Sequence, residues 1–356
     1  MPIARIAGAC LLLGTLAFVG PAPSATAEPA VGAPEPRVLA ISIDGLNPAA
    51  LTRLGPERTP ALHRLLAEGA ATLNARTQVE STETLPNHAS MLTGRRVLAA
   101  RQGHGVTWNT HRPGTTVQGA AGHDVASVFT VAHMTGSTAM FAAKQKFSIF
   151  QRSWPAAIDR VVIRESDDRG LMRAARADLV QVGRDFTFAH FARPDAVGHA
   201  AGFMSPAYLT AVQQTDALVG RLLSAIETHP ALAETVVILT ADHGGAPRGI
   251  SHADATAYAN YRIPFMVWGP GVAHGDLYAM NPAYADPGRR RVPYSGPQPI
   301  RDGDLANLAL DLLGLGPVPG SKYDVRQQLS VTGPPAQAQA QSWPSSRSSA
   351  SSMVPS

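Results

Sequence analysis

The stretch Thr235-Val236-Val237-Ile238-Leu239-Thr240-Ala241-Asp242-His243-Gly244-Gly245 decides the fold of this chain. Its first seven residues form a nearly continuous apolar run, which is typical of a strand buried on both faces of a parallel sheet. The run ends in Asp242 and His243, two residue types that bind metals. In helix-flanked parallel sheets, functional groups gather beyond the carboxyl ends of the strands. The stretch therefore predicts both the architecture and the edge of the sheet that carries the site.

Two other apolar runs end in the same way. Residues 38–43 lead into Asp44, and residues 185–191 lead into Asp195 and His199. Asp195 and His199 are four positions apart, so a single helical turn or a tight loop can present both to one ion. One Asp-x-x-x-His pair is more often a helix cap or a surface pair than a metal site. Three strand ends of this kind are hard to explain as turns alone.

Strand-like runs alternate with helical patterns along the whole chain. We therefore predict an α/β fold with a mainly parallel central sheet, flanking helices and small loop-rich cap insertions. Helices are expected in segments that have helical periodicity, with terminal Gly or Pro signals in several cases. The expected segments are 59–69, 120–133, 168–182, a long helix opened by Ser205-Pro206, and 302–313.

The segment Ser81-Thr82-Glu83-Thr84-Leu85-Pro86-Asn87-His88-Ala89-Ser90-Met91-Leu92-Thr93-Gly94 supplies a hydroxyl beside a helix start. Pro is favoured in the first turn of a helix and Gly just past its end, so Thr84 is expected at a helix N-terminus. Free N–H groups and the helix dipole favour an anion such as phosphate there. A hydroxyl in that position becomes a nucleophile if a base or a metal lowers its pKa.

Composition sets the broad class and the domain limits. The chain has 356 residues, and its 30 basic and 26 acidic residues give a formal net charge of +4. This small, dispersed excess gives no sign of a nucleic-acid surface. Residues 1–27 have the pattern of a secretory signal, so we expect a secreted or periplasmic protein with no membrane span. Residues 28–37 are read as a linker, 38–325 as one catalytic domain, and 331–356 as a disordered Pro/Gln/Ser-rich tail.

Together these motifs resemble the alkaline phosphatase superfamily, and within it the type I phosphodiesterase/nucleotide pyrophosphatase branch. The resemblance rests on Asp44-Gly45, Thr84-Leu85-Pro86-Asn87-His88, Asp195-Ala196-Val197-Gly198-His199 and Asp242-His243-Gly244-Gly245, in that order and spacing. It extends from about residue 38 to residue 321.

The resemblance implies two divalent metal ions, zinc in the first place and manganese as the alternative. One ion would be held by Asp44, Asp242 and His243 and would contact the Thr84 oxygen. The other would be held by Asp195, His199 and a third histidine, for which His252 is chosen and His274 is the alternative. Thr84 would form a phospho-threonine intermediate. Asn109 resembles the asparagine that donates to a phosphoryl oxygen, and His88 is expected to support the site without binding metal.

The resemblance also implies the substrate class, a small phosphate ester or a nucleotide. A threonine nucleophile favours a phosphodiesterase or nucleotide pyrophosphatase, and the nucleophile motif of sulfatases is absent. Lys144 and Lys146 could instead bind the extra charge of a monoester, as in an alkaline phosphatase-type phosphomonoesterase. A phosphoryl transferase and a catalytically inactive metal-stabilised binding protein are further alternatives. The oligomeric state is open.

Overall fold

One sheet of eight strands lies at the centre of the computed structural model, which describes residues 35–332. The strands are β1 (Arg37–Ile43), β2 (Ala70–Arg76), β3 (Thr138–Ala142), β4 (Arg160–Ile163), β5 (Phe186–Phe191), β6 (Thr235–Thr240), β7 (Arg262–Trp268) and β8 (Gly275–Asp276). Their order across the sheet is β4-β3-β5-β1-β6-β7-β2-β8. The first five strands in this order, β4, β3, β5, β1 and β6, are parallel to one another, while β7 is antiparallel to both β6 and β2. The predicted α/β fold with a mainly parallel sheet is confirmed.

Helices form the outer layers. They are α1 (Pro48–Leu54), α2 (Pro60–Glu68), α3 (Thr84–Thr93), α4 (Val117–Ala121), α5 (Val128–Ala132), α6 (Ser148–Ser153), α7 (Asp168–Gln181), α8 (Arg193–Ala201), α9 (Pro206–Thr228), α10 (Tyr258–Tyr261), α11 (Leu277–Met280) and α12 (Leu305–Leu312). The long α9 packs with α2, α7 and α8, and α12 packs with α3 and α5. The core between these helices and the sheet is formed by the apolar strand residues, since all of β3, β5 and β6 is buried.

One predicted helix is wrong. Residues 120–133 form parts of two short helices, α4 and α5, instead of one continuous helix. Gly122 adopts a left-handed conformation with φ of 76° and ends α4. Ser127 then starts α5, because its side chain accepts from the amide of Thr130 while the Thr130 hydroxyl contacts the Ser127 amide. A similar but smaller correction applies to 302–313, where the first turn, residues 302–304, is a 3-10 helix.

The predicted signal (1–27), most of the linker and all of the tail after residue 332 lie outside the described residues. At the carboxyl end, packing continues to Val331, which is buried and accepts a 2.8 Å hydrogen bond from the Ala273 amide. Within residues 35–332, no helix combines the length and apolar character that crossing a membrane requires.

Candidate metal centre and nucleophile

The three central strands bring three carboxylates to one edge of the sheet. Strands β5, β1 and β6 are direct neighbours, and Asp195, Asp44 and Asp242 follow their respective carboxyl ends. The Asp44 amide donates to the carbonyl of Phe191 at 2.9 Å, which continues the β1–β5 ladder up to the site. The Gly45 amide donates to Asp242 Oδ1 at 3.1 Å, which ties the β1 end to the β6 end. The convergence expected from the sequence thus follows from strand order.

Two groups of side chains at this edge have the geometry of metal ligands. Asp195, His199 and His252 form one group, and Asp44, Asp195 and His243 form the other, with the ligand atoms in each group within 4.8 Å of one another. Asp195 Oδ1 lies 3.4 Å from His199 Nε2, 3.5 Å from His252 Nε2 and 3.8 Å from His243 Nε2.

Asp242 completes the second group. His243 Nε2 lies 3.2 Å from Asp44 Oδ1 and 3.2 Å from Asp242 Oδ2, and all three side chains are fully buried. The structure therefore gathers both predicted ligand sets, and Asp195 stands at the boundary between them. His274, the alternative third ligand, is exposed next to the edge strand β8 and belongs to neither group.

The three histidines all have the same tautomer. In each, Nδ1 contacts a backbone carbonyl, so Nδ1 carries a proton, and Nε2 is the nitrogen that has a lone pair when the ring is neutral. The contacts are His199 to Ile250 at 2.7 Å, His243 to Gly244 at 2.8 Å and His252 to Thr82 at 2.7 Å. The Nε2 atoms of His199 and His252 lie only 3.1 Å apart. Facing lone pairs repel one another unless a cation lies between them.

Five buried polar atoms in this region lack a hydrogen-bond partner within the described part of the chain. They are Asp44 Oδ1, Thr84 Oγ1, Asp195 Oδ1, Asp242 Oδ2 and His243 Nε2. A buried polar atom without a partner costs about 1–3 kcal/mol, and more if it is charged. Carboxylate oxygens and imidazole nitrogens are ligands for zinc and other borderline divalent ions. The residues present therefore fit divalent cations.

Burial and mutual repulsion perturb these groups strongly. Burial raises the pKa of Asp242 well above its usual range, and the Asp44 charge adds to this effect. Burial disfavours charge on His243, but Asp242 and contacts with Asp44 outweigh burial and raise its pKa to about 9. Burial together with His243 lowers the pKa of His252 to about 2. Without bound cations the cluster must hold protons to limit its own repulsion, so cation binding should release protons.

Lys144 bridges the two ligand groups. Its Nζ lies 2.7 Å from Asp44 Oδ2 and 2.6 Å from Asp195 Oδ2, so it occupies one oxygen of each carboxylate and leaves the Oδ1 atoms free. Burial opposes its charge, but the two carboxylates raise the Lys144 pKa. Despite burial, Lys144 also holds the pKa of Asp44 well below its usual range.

The nucleophile candidate lies at the start of a helix, as predicted. Thr84 is the first residue of α3, which ends at Gly94 in a left-handed conformation. Asn109 Oδ1 accepts from the Leu85 amide at 3.0 Å and from Lys146 Nζ at 2.8 Å. Both donors use the oxygen of the Asn109 amide, and among the described residues its Nδ2 amino group has no hydrogen-bond acceptor. The structure thus groups Asn109 and Lys146 at the α3 N-terminus.

Sequence reasoning missed His190. This residue lies in the buried strand β5 and its Nε2 is 3.0 Å from Asp44 Oδ2. The signal in the sequence is an imidazole in a buried and mostly apolar strand that leads to Asp195. His88, expected as a support, contacts the Thr84 carbonyl at 2.8 Å and Ser42 Oγ at 2.8 Å, and lies 3.6 Å from Asp242 Oδ2.

Comparison with known families gives one match of high coverage. The family model for type I phosphodiesterase/nucleotide pyrophosphatase matches residues 38–118 and 97–288. Comparison with curated protein sequences gives no match.

Solved structures share the fold. Murine ectonucleotide pyrophosphatase/phosphodiesterase 5, in an inactive form with AMP, aligns with a TM-score of 0.61 and 14% identity over 83% of this chain and 100% of that chain. The human protein of the same name gives 0.60 and 12% over 83% and 99%. A 2-O GAG sulfatase gives 0.58 and 15% over 83% and 74%.

Proposed function

Because this chain belongs to the type I phosphodiesterase/nucleotide pyrophosphatase family, whose members are metal-dependent hydrolases, we propose that it cleaves phosphodiesters or nucleotide pyrophosphates with Thr84 as the nucleophile. The chain is a hydrolase of phosphoric esters by family and fold. The threonine nucleophile, the number of cations and the preferred ester are the parts that we add.

The observation that carries the proposal is the set of five unpartnered buried atoms. Four of them belong to the carboxylates and the imidazole proposed as ligands, and the fifth is Thr84 Oγ1. Hydrogen-bonding groups are seldom left unpaired in a protein interior without a functional reason. We propose that Asp44, Asp242 and His243 hold one divalent cation near Thr84. Asp195, His199 and His252 hold the second. We expect zinc, since the ligands are carboxylates and imidazoles.

The bound cations would lower the pKa of the Thr84 hydroxyl and offset negative charge on the phosphoryl group. The residues of the chain then account for the remaining requirements. Thr84 Oγ1 releases its proton to solvent and forms a bond to phosphorus as the bond to the leaving oxygen breaks, and the departing alcohol or phosphate takes up a proton. In the second step a water oxygen bonds to phosphorus as the bond from phosphorus to Thr84 Oγ1 breaks. Thr84 then regains a proton and the phosphoryl product is released. The N-terminus of α3 favours the anionic phosphoryl group, and Asn109 Nδ2 can donate to one of its oxygens.

A nucleotide is the substrate class we favour. The murine structure is a complex with AMP, and its fold is shared by this chain. We further propose that the protein is exported, because residues 1–27 have the pattern of a secretory signal.

The test compares Thr84→Ala with Thr84→Ser on bis(p-nitrophenyl) phosphate, with and without EDTA. Removing the nucleophile should lower kcat/KM by at least about a thousandfold. Thr84→Ser retains a hydroxyl and should keep a measurable part of the activity. Metal content by mass spectrometry should stay nearly unchanged in both variants, because the carboxylates and imidazoles remain. Acid-quenched wild-type protein should carry a p-nitrophenyl phosphoryl group on Thr84, because only one of the two nitrophenolate groups has left. An alanine variant that retains most activity would rule out this nucleophile.

A phosphomonoesterase is the second candidate, and the positions of two ammonium groups favour it. Lys144 contacts the carboxylates proposed as ligands, and Lys146 lies 2.8 Å from Asn109 Oδ1 in a partly buried position. A monoester carries one more negative charge than a diester, so its binding should be stabilised more by these two ammonium groups. If Lys146→Met lowers kcat/KM for p-nitrophenyl phosphate far more than for the diester, and the wild type prefers the monoester, this candidate replaces the first.

A further inference from the structure

His190 differs from the three ligand histidines in the way its ring is held. The Ala143 amide donates to His190 Nδ1 at 3.2 Å, inside the fully buried strand layer. An amide nitrogen can only donate, so Nδ1 must carry the lone pair and Nε2 must carry the proton. The backbone therefore imposes the opposite tautomer from that of His199, His243 and His252.

This tautomer makes His190 a donor to Asp44. The distance from His190 Nε2 to Asp44 Oδ2 is 3.0 Å, and Lys144 Nζ contacts the same oxygen at 2.7 Å. Two donors thus occupy Oδ2. The other oxygen, Oδ1, has no hydrogen-bond partner within the described chain and faces His243 Nε2 at 3.2 Å. The two oxygens of one carboxylate therefore have different tasks.

Packing fixes the His190 ring in this orientation. The ring stacks on Phe147 with centroids 4.3 Å apart and planes inclined by 30°. It also meets His88 edge-on at 4.9 Å. The register of the sheet places His190 opposite Ala142 of β3 and Ser42 of β1. The donor is therefore fixed by two neighbouring strands before any ligand binds.

We propose that His190 is a positioning residue that selects Asp44 Oδ1 as the metal-binding oxygen. This inference rests on the proposed function, since it assumes a divalent cation between Asp44, Asp242 and His243. Loss of a supporting donor of this kind typically lowers metal affinity by about 10–100-fold. Because Asp44 belongs to one of the two proposed sites, the loss should fall on one cation and leave the other unaffected.

The test measures zinc affinity by competition with a fluorescent chelator, using full-length protein. His190→Phe keeps an aromatic ring beside Phe147 but removes the donor, and should weaken one of two zinc sites by about 10–100-fold. His190→Gln keeps an N–H donor and should recover most of that affinity. His104→Phe is the matched control. His104 is also buried and accepts an amide N–H on Nδ1, but its Nε2 faces Ser90 Oγ at 3.0 Å. Its loss should leave both zinc affinities unchanged.

Nitrogen-15 NMR of the zinc-free wild type supplies a readout that does not depend on folding of a variant. The His190 signal, assigned from its disappearance in His190→Gln, should show the proton on Nε2. The proposal would be overturned by a proton on Nδ1. It would also be overturned if a folded His190→Phe variant kept the wild-type zinc affinities, or if the Phe and Gln variants lost equal zinc affinity. If wild-type protein binds no zinc or manganese at all, the proposed function fails as well. If the wild type binds two ions and only the His190 effects are missing, this inference alone fails.

Discussion

Replacing Lys144 by methionine should destabilise the cation-free protein much more than the cation-loaded protein. Lys144 Nζ lies within 2.7 Å of Asp44 and 2.6 Å of Asp195, and the three side chains are only 14%, 0% and 2% exposed. Removing one partner of a buried ion pair costs about 3–5 kcal/mol, because the other charge stays buried without compensation. Divalent cations on the same carboxylates would supply that compensation, so the loaded variant should lose only about 1 kcal/mol.

Linkage converts this difference into an affinity. If the substitution lowers the unfolding free energy of the cation-free protein by about 3 kcal/mol more than that of the loaded protein, the variant must bind cations about 100-fold more tightly than the wild type. Lys144→Met should therefore bind zinc more tightly than the wild type, although it loses a charge near the phosphoryl site. This sign is opposite to the one expected for His190→Phe, because Lys144 contributes a repelling charge and His190 a neutral donor.

The assay is thermal and urea unfolding with excess zinc and with EDTA, together with a chelator competition. Each kcal/mol should shift Tm by about 2–4 °C. Arg184→Met is the control, since Arg184 Nε pairs with Asp178 at 2.7 Å with side-chain exposures of 13% and 9%. Its effect on stability should be the same with and without zinc. Equal losses for Lys144→Met in both conditions, or weaker zinc binding, would refute the reasoning.

Two other substitutions test the site and the core. Gly45 has φ of 69°, and an added Cβ would lie 3.0 Å from Asp195 Cα, whereas Gly55 has φ of 72° with nothing within 4 Å. Gly45→Ala should lose both unfolding free energy, measured in unfolding assays, and bound cations, measured by metal analysis. Gly55→Ala should lose only about 1 kcal/mol of unfolding free energy. Equal losses of stability and of cations in the two variants would contradict this prediction. Burial lowers the pKa of His104 to about 3 from about 6.5 when unfolded, so its stabilising contribution exists above pH 6.5 and falls as pH decreases. When the pH is lowered from 7 to 5, the unfolding free energy of His104→Gln should therefore decrease by about 2 kcal/mol less than that of the wild type.

The central architecture was accessible from sequence because its strands are buried on both faces. Strands β1, β5 and β6 read as apolar runs that end in Asp or His residues, and they are neighbours in the sheet. Carboxyl ends of adjacent parallel strands must meet, so predicting the strands also predicted that the ligands gather. The antiparallel placement of β7 was not predicted, since strand direction leaves no mark in an apolar run.

Details that depend on contacts between distant segments could not be predicted. The segment 120–133 has enough helical character for one helix, yet the left-handed Gly122 and the Ser127 cap divide it. The position of Lys144 after a strand predicts substrate binding, which stays a prediction, but it gives no indication that the ammonium group also contacts two carboxylates. Sequence patterns show which residue types lie near the edge of the sheet, but the pairing of their atoms follows from packing.

Histidine tautomers illustrate this limit most directly. In His199, His243 and His252, Nδ1 donates a hydrogen bond to a backbone carbonyl, so Nε2 is the nitrogen left to bind a cation. His190 Nδ1 accepts a hydrogen bond from a backbone amide, so Nε2 carries the proton, donates to Asp44 and cannot bind a cation. Among these four histidines, the proposed role as ligand or as support follows whether a carbonyl or an amide contacts Nδ1. His88 also contacts a carbonyl through Nδ1, but its Nε2 contacts Ser42 Oγ and is not free to bind a cation. A search for histidines near the carboxylates would also count His88 and His190. Only the partners of both ring nitrogens separate these two residues from the three proposed ligands.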